Sequence, residues 1–278
     1  MGKAVLYACF TAITAYMSAT ALLWASQSRF IFEPVCTLVV KPTELAFPVA
    51  DVTISVPGAK AGHRTLHAWW MPASRSEGKL VLYFHGNEGN VSTSIGETSL
   101  LRSLGYSVLV VDYRGYGESD GAFPSETSVY EDAEAALDAL VHEWRIQPQK
   151  VFVYGHSLGA AIAIDLASRH PELGGLIVES AFTSIYDMAK LESKYGIFPV
   201  GLLLNQRFES IKKVSRLSLP VLYVHGTDDR VVPYDMGVAL YERSGGEKRF
   251  VAVAGGGHDD NAAVAPAELA SALREIIR

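Results

Sequence analysis

One short pattern and two residues far downstream carry the candidate chemistry. Gly155-His156-Ser157-Leu158-Gly159 fits G-x-S-x-G, with an apolar run before it and small residues (Ala160, Ala161, Ala163) after it. A strand feeding a helix through such a pentapeptide makes a tight, strained turn. Its glycines leave room for the backbone, and the serine is presented at the strand end. A serine hydroxyl is a weak nucleophile, so it needs a base, and the base needs an orienting acid. On this kind of turn the chain order is serine, then acid, then histidine. Asp228 and Asp229 follow an apolar run at 220–224, and either could be the acid. His258 follows the run at 250–253 and three glycines, which makes it the candidate base. The remaining histidines are less well placed. His63 and His67 precede the turn, His85 and His225 end strands and read as loop-shaping, His156 flanks the serine, and His142 and His170 sit at helix ends.

A tetrahedral intermediate needs donors already aimed at its oxyanion. One expected donor is the backbone N–H of Leu158, immediately after the serine. The second is the N–H of Asn87, in the loop His85-Gly86-Asn87-Glu88-Gly89-Asn90 that follows the apolar run 80–84.

These residues need a scaffold, and the pattern around them supplies one. Runs at 51–56, 66–71, 80–84, 106–111, 151–154, 176–178, 220–224 and 250–253 read as strands. Helical stretches are expected at 92–104, 125–144, from 156 to about 170, and from about 261 to the end. Short, wholly apolar runs separated by helices indicate strands buried on both faces of a parallel sheet. The expected fold is α/β, with a doubly wound, mostly parallel eight-stranded sheet. Residues 181–218 exceed an ordinary crossover and are expected to form a small lid. Its Ile197-Phe198-Pro199-Val200 and Leu202-Leu203-Leu204 are apolar enough to line a lipophilic pocket, or simply to pack on the sheet.

The N-terminus is of a different kind. No charge occurs between Lys3 and Arg29, and 18 of the 22 residues from 4 to 25 are apolar. As a helix, that stretch is about 33 Å long, enough for a bilayer core of about 30 Å. Tyr7 and Trp24 near its ends suit the two interfaces. The chain therefore divides into an expected membrane anchor at 1–28 and a domain of catalytic size at 29–278. A cleaved signal peptide is the alternative, with Ala19-Thr20-Ala21 as a weak cleavage site. Lys3 against Arg29 and Lys41 tips the positive-inside balance slightly toward an outside, extracytoplasmic domain.

Composition removes other classes. With 278 residues, 49% hydrophobic and 19% charged, the chain is not disordered, and its length suits one α/β domain. A net charge of −6 gives no basic surface for nucleic acid. Cys9 and Cys36 are too few for a disulfide framework or a cysteine metal cluster. No metal or organic cofactor is implied.

With these stretches in order, the chain resembles the α/β-hydrolase fold serine hydrolases. Within them it is similar to the Bem46 and ABHD13/ABHD17-like branch. The resemblance runs through His85 to Asn90, Asp112-Tyr113-Arg114-Gly115-Tyr116-Gly117-Glu118-Ser119, the 155–159 turn, Glu179-Ser180-Ala181-Phe182-Thr183-Ser184, the block from His225 to Pro233, and Gly256-Gly257-His258. The family motif places its acid four residues before the closing proline, which selects Asp229. The resemblance implies an esterase or thioesterase acting on small acyl or lipid-like substrates through Ser157, His258 and Asp229. A serine peptidase and a non-catalytic membrane scaffold are the other readings. The depalmitoylating members of that branch carry an N-terminal cysteine cluster, which this chain replaces with an apolar segment. Arg114 is expected to brace loops, Glu179 to stand near the site or in an ion pair, and Tyr154 and Tyr223 to belong to the core.

Overall fold

The structure is a computed structural model that describes residues 2–56, 64–75 and 78–277. Pro57 and His63 lie outside the described residues. Eight strands among the described residues form one sheet: β1 (Ala50–Val56), β2 (Arg64–Met71), β3 (Leu80–Phe84), β4 (Ser107–Val111), β5 (Val151–His156), β6 (Gly175–Glu179), β7 (Val221–Gly226) and β8 (Lys248–Val253). Their spatial order is β8-β7-β6-β5-β3-β4-β2-β1. All neighbours from β4 through β8 run parallel, while β2 is antiparallel to both β1 and β4.

The apolar strand runs are explained by two layers. Leu82, Phe84, Leu109, Val111 and Val153 face one side of the sheet, where α3 (Glu126–Asp138) and α4 (Leu158–Arg169) pack. Val81, Tyr83, Val108, Val110 and Phe152 face the other, against α2 (Ile95–Ser103) and α7 (Pro266–Ile276). Helix α6 (Tyr234–Arg243) adds Leu240 to the first layer. Alternate residues of one strand point to opposite faces, so a strand covered on both sides must be apolar throughout.

Three expected helices differ at their ends, each for a local reason. The stretch 92–104 becomes helical only at Ile95. Before it, the Asn90 side chain accepts from the N–H and hydroxyl of Ser92 and donates to the carbonyls of Val35 and Thr37. Such side-chain bonds compete with a helix start. The stretch 125–144 is α-helical to Asp138 and then widens over Ala139–Glu143, where Trp144 N–H reaches the carbonyl of Ala139. The widened turn seats Trp144 edge-on against Trp70, 5.1 Å between ring centroids. The C-terminal helix breaks between Asn261–Val264 and α7, because Pro266 has no N–H to continue a helix but suits a first turn.

Residues 29–49 are more than a connector. Phe32 is buried, and Glu33–Pro34 pairs with Glu88–Gly89, so this segment props the loop after β3. Helix α1 (Gly2–Ala25) has no buried residue and is long and apolar enough to cross a membrane. Residues 181–218 form a cap of short helices that includes α5 (Ile185–Leu191) and the single turns Val200–Leu203 and Ser210–Lys213. Part of the cap packs on the sheet layer through Phe182, Phe208 and Val214, and part of it is solvent-facing, as at Leu202.

Candidate active site

Parallel strands bring their C-terminal ends to one edge, so the loops after β3, β5, β6, β7 and β8 meet there. The turn after β5 is as tight as its glycines suggest. A Cβ at Gly155 would lie 2.2 Å from the carbonyl oxygen of Gly159, and one at Gly159 would lie 2.1 Å from that of Phe84. Ser157 between them holds φ 54° and ψ −117°, a region that side chains rarely occupy. The strained turn puts its hydroxyl at the start of α4.

Ser157 Oγ is 3.0 Å from His258 Nε2, and His258 Nδ1 is 2.8 Å from Asp229 Oδ2. The three side chains come from the loops after β5, β7 and β8. Asp228 does not join them; it is exposed, and its carboxylate accepts from Thr227. Asp229 is buried, and its Oδ1 accepts from the N–H groups of Val231 and Val232 at 2.9 and 2.8 Å. His225 Nε2 stands 3.3 Å from its Oδ2. Burial alone would raise the Asp229 pKa. The bonds from His225 and His258, joined by the Val232 N–H, outweigh burial and hold it below the usual carboxylate range.

The two expected oxyanion donors line the same pocket as Ser157. Leu158 begins α4, and the first N–H groups of a helix have no acceptor within it. The Gly86 carbonyl lies 2.9 Å from His85 Nδ1. In a trans peptide the N–H points opposite to the carbonyl, so the Asn87 N–H faces away from His85. The Asn87 carbonyl in turn accepts from Glu33 N–H at 3.0 Å and from the Tyr116 hydroxyl at 2.6 Å, which fixes the loop.

Supporting groups surround this core. Asp112 takes the Val91 N–H at 2.7 Å and His67 Nδ1 at 3.1 Å, with His85 Nε2 at 3.4 Å. Arg114 braces as expected, forking onto Asp132 at 2.6–2.8 Å and reaching Glu131 at 2.9 Å. Glu179 is buried and has no cationic partner in contact among the described residues. It accepts from the Tyr154 hydroxyl at 2.6 Å and from Asn261 Nδ2 at 3.0 Å. Tyr154 is therefore a core residue with a polar duty, while Tyr223 is buried in the first sheet layer. The carbonyl of His258 accepts from Ser180 Oγ at 3.0 Å and lies 2.9 Å from His156 Nε2, so His156, Ser180 and Asn261 anchor the loop that carries His258.

One further group, Glu97, carries no mark in its sequence surroundings. An acid in the first turn of a helix ordinarily complements the helix dipole at the surface. Here burial, and then the nearby Glu179 carboxylate, push its pKa up to about 7. A carboxyl whose folded pKa is raised stabilises the fold most below its unfolded value of 4.5, and that contribution is lost as pH rises through 7. Relative to Glu97→Gln, the unaltered protein should therefore lose stability between those pH values, by on the order of 3 kcal/mol. Denaturant midpoints measured from pH 4 to 8 would show it; parallel curves would refute it.

His156, His258 and Asp259 offer ligand atoms within 4.8 Å of one another. Both ring nitrogens of His258 are engaged by Asp229 and Ser157, so a cation there would have to displace that relay.

A sheet of this order, with a serine on the turn after β5 and an imidazole and carboxylate on later edge loops, defines an α/β hydrolase. Residues 76–208 match the family model described as Serine aminopeptidase, S33. The chain is 34% identical over 239 residues to an uncharacterised protein of Mycobacterium tuberculosis, Rv2307c, covering 86% of this chain and 82% of that one. It is 35% identical over 194 residues to the lysophosphatidylserine lipase ABHD12 of Danio rerio, covering 63% of this chain and 49% of the lipase. Its fold matches the esterase Pf2001 of Pyrococcus furiosus with a TM-score of 0.71 at 21% identity, over 89% of this chain and 97% of the esterase. The chain belongs to the α/β-hydrolase superfamily and is a hydrolase.

Proposed function

We propose that the protein is a membrane-tethered serine hydrolase that cleaves carboxylic esters or thioesters of lipid-like acyl groups. The observation that carries this reading is the Ser157–His258–Asp229 chain of hydrogen bonds at the wall of a 560 Å³ pocket lined by apolar cap residues such as Ile185, Met188 and Leu204. Ser157 Oγ attacks the acyl carbonyl while His258 Nε2 takes its proton. Asp229 keeps the imidazole in the right tautomer and stabilises its charged form. The N–H groups of Asn87 and Leu158 receive the oxyanion. His258 then returns the proton to the leaving alcohol or thiol. Water, deprotonated by the same imidazole, releases the acid from the acyl-enzyme and frees Ser157. Helix α1 serves as the tether.

The lipase name of the ABHD12 relative supports a lipid ester. The aminopeptidase description of the matching family favours a second reading, peptide cleavage. A panel of p-nitrophenyl esters and aminoacyl p-nitroanilides separates them. Each added methylene buried in the pocket contributes up to about 0.8 kcal/mol, so kcat/KM should climb at least about tenfold from acetate to decanoate. Rates that fall beyond acetate, with anilides cut faster, would favour the peptidase.

A further inference from the structure

Helix α1 and the cap touch at two levels. Near the C-terminal end of α1, Gln27 Nε2 donates to the Leu203 carbonyl at 2.7 Å, and Gln27 Oε1 accepts from Asn205 N–H at 2.9 Å. Well inside the helix, the Tyr16 hydroxyl donates to the Ile197 carbonyl at 3.0 Å, and its ring stacks on Phe198 with centroids 5.7 Å apart. Tyr16 lies nine residues before Ala25, a rise of about 13 Å. If α1 crosses a bilayer, the cap tip at 197–198 sits at that depth in the hydrocarbon.

The composition of the tip suits that depth. From Tyr195 to Leu204 there is no charged residue, while Lys194 and Arg207 flank the run. Ile197 is 70% and Leu202 87% exposed, a cost in water that hydrocarbon would remove. Non-helical backbone survives in hydrocarbon only when its polar groups are satisfied. Here Phe198 N–H bonds to Tyr195, Val200 N–H to Phe198, Leu202 and Leu203 N–H to Pro199, and the Ile197 carbonyl takes the Tyr16 hydroxyl. The pocket over Ser157 is walled by both partners, with Leu23 and Phe30 from the α1 side and Leu203 and Leu204 from the cap.

We propose that residues 195–204 enter the leaflet facing the hydrolase domain, beside α1, and that the pocket opens between them toward the lipid. The substrate is then a bilayer lipid whose acyl chain reaches Ser157 sideways without passing through water. The second half of this inference rests on Ser157 being the nucleophile; the first does not.

The test uses the full chain in phosphatidylcholine vesicles, with Cys9→Ala and Cys36→Ser to remove the native thiols. An environment-sensitive fluorophore on Leu202→Cys should be quenched by doxyl-labelled lipids and shielded from aqueous iodide. The same fluorophore on Ser215→Cys, exposed just before β7, should behave oppositely. A label at 202 quenched by iodide and untouched by doxyl lipid overturns the insertion. So does a label shielded from both, which would place a second copy of the chain there. In parallel, Ile197→Asp with Leu202→Asp should raise KM for a long-chain ester presented in vesicles by about tenfold or more. Turnover of a short water-soluble ester should be unchanged. Equal KM values for the two proteins would overturn lateral entry. Absence of turnover in the unaltered chain would instead defeat the esterase reading and leave the depth result standing.

Discussion

Ser157→Ala will lower kcat/KM for a short p-nitrophenyl ester by a factor on the order of 10^4 to 10^6, with the fold intact. The change removes one oxygen atom. Alanine occupies the φ 54° turn no worse than serine, because both carry a Cβ and neither is branched there. The lost hydrogen bond to His258 costs about 1 kcal/mol, so thermal unfolding should shift by only a few degrees. A large loss of activity at nearly constant stability separates a nucleophile from a structural hydroxyl. Turnover within tenfold of the unaltered protein would contradict the role given to Ser157.

Asp229→Asn will lower kcat by about 10^4 and leave KM nearly unchanged. The reason lies in how the four contacts of the carboxylate are divided. Oδ1 accepts two N–H groups, from Val231 and Val232, so the amide oxygen of Asn must take that position. The NH₂ then faces His258 Nδ1, where Oδ2 stood 2.8 Å away. It can only donate, which forces the imidazole proton onto Nε2, the atom that must accept from Ser157. The carboxylate form is secure in the native protein. Its depressed pKa contributes stability that is present above the unfolded carboxylate value and is lost only as pH falls through the folded one. An acid loss of activity above about pH 4 therefore does not come from Asp229. Steady-state kinetics of the variant check the prediction, and a kcat within threefold of native would refute it.

The parts of this site that were legible before the structure are those written locally. The G-x-S-x-G turn announces itself because Gly155 and Gly159 are demanded by atoms only a few residues away or on the adjoining strand. His258 follows because it comes soon after a strand, at the edge where parallel strands must end; the same kind of position admits Asp228 and Asp229 alike, and only the family resemblance selects Asp229. The α/β layering was legible in the same way, from strands apolar on both faces. Contacts between distant segments were not. Tyr16 and Ile197 are 181 residues apart, and nothing in the periodicity of α1 marks Tyr16 as a donor. Gln27 likewise reads as an ordinary polar residue after a helix, yet it joins that helix to the cap. Glu97 was invisible for an electrostatic reason, since its raised pKa arises from burial and from the charge of Glu179, which lies far off in the chain. Helix ends failed where side chains such as Asn90 took over backbone bonds.

The role of Ser157 as the nucleophile is tested most directly by a fluorophosphonate probe followed by peptide mass spectrometry of the protein. The probe reacts only with a serine oxygen that a neighbouring base deprotonates during attack. One phosphonate adduct is expected, on the peptide carrying Ser157, absent in Ser157→Ala and much slowed in Asp229→Asn. No adduct on the folded protein, or an adduct on a different serine, would contradict it.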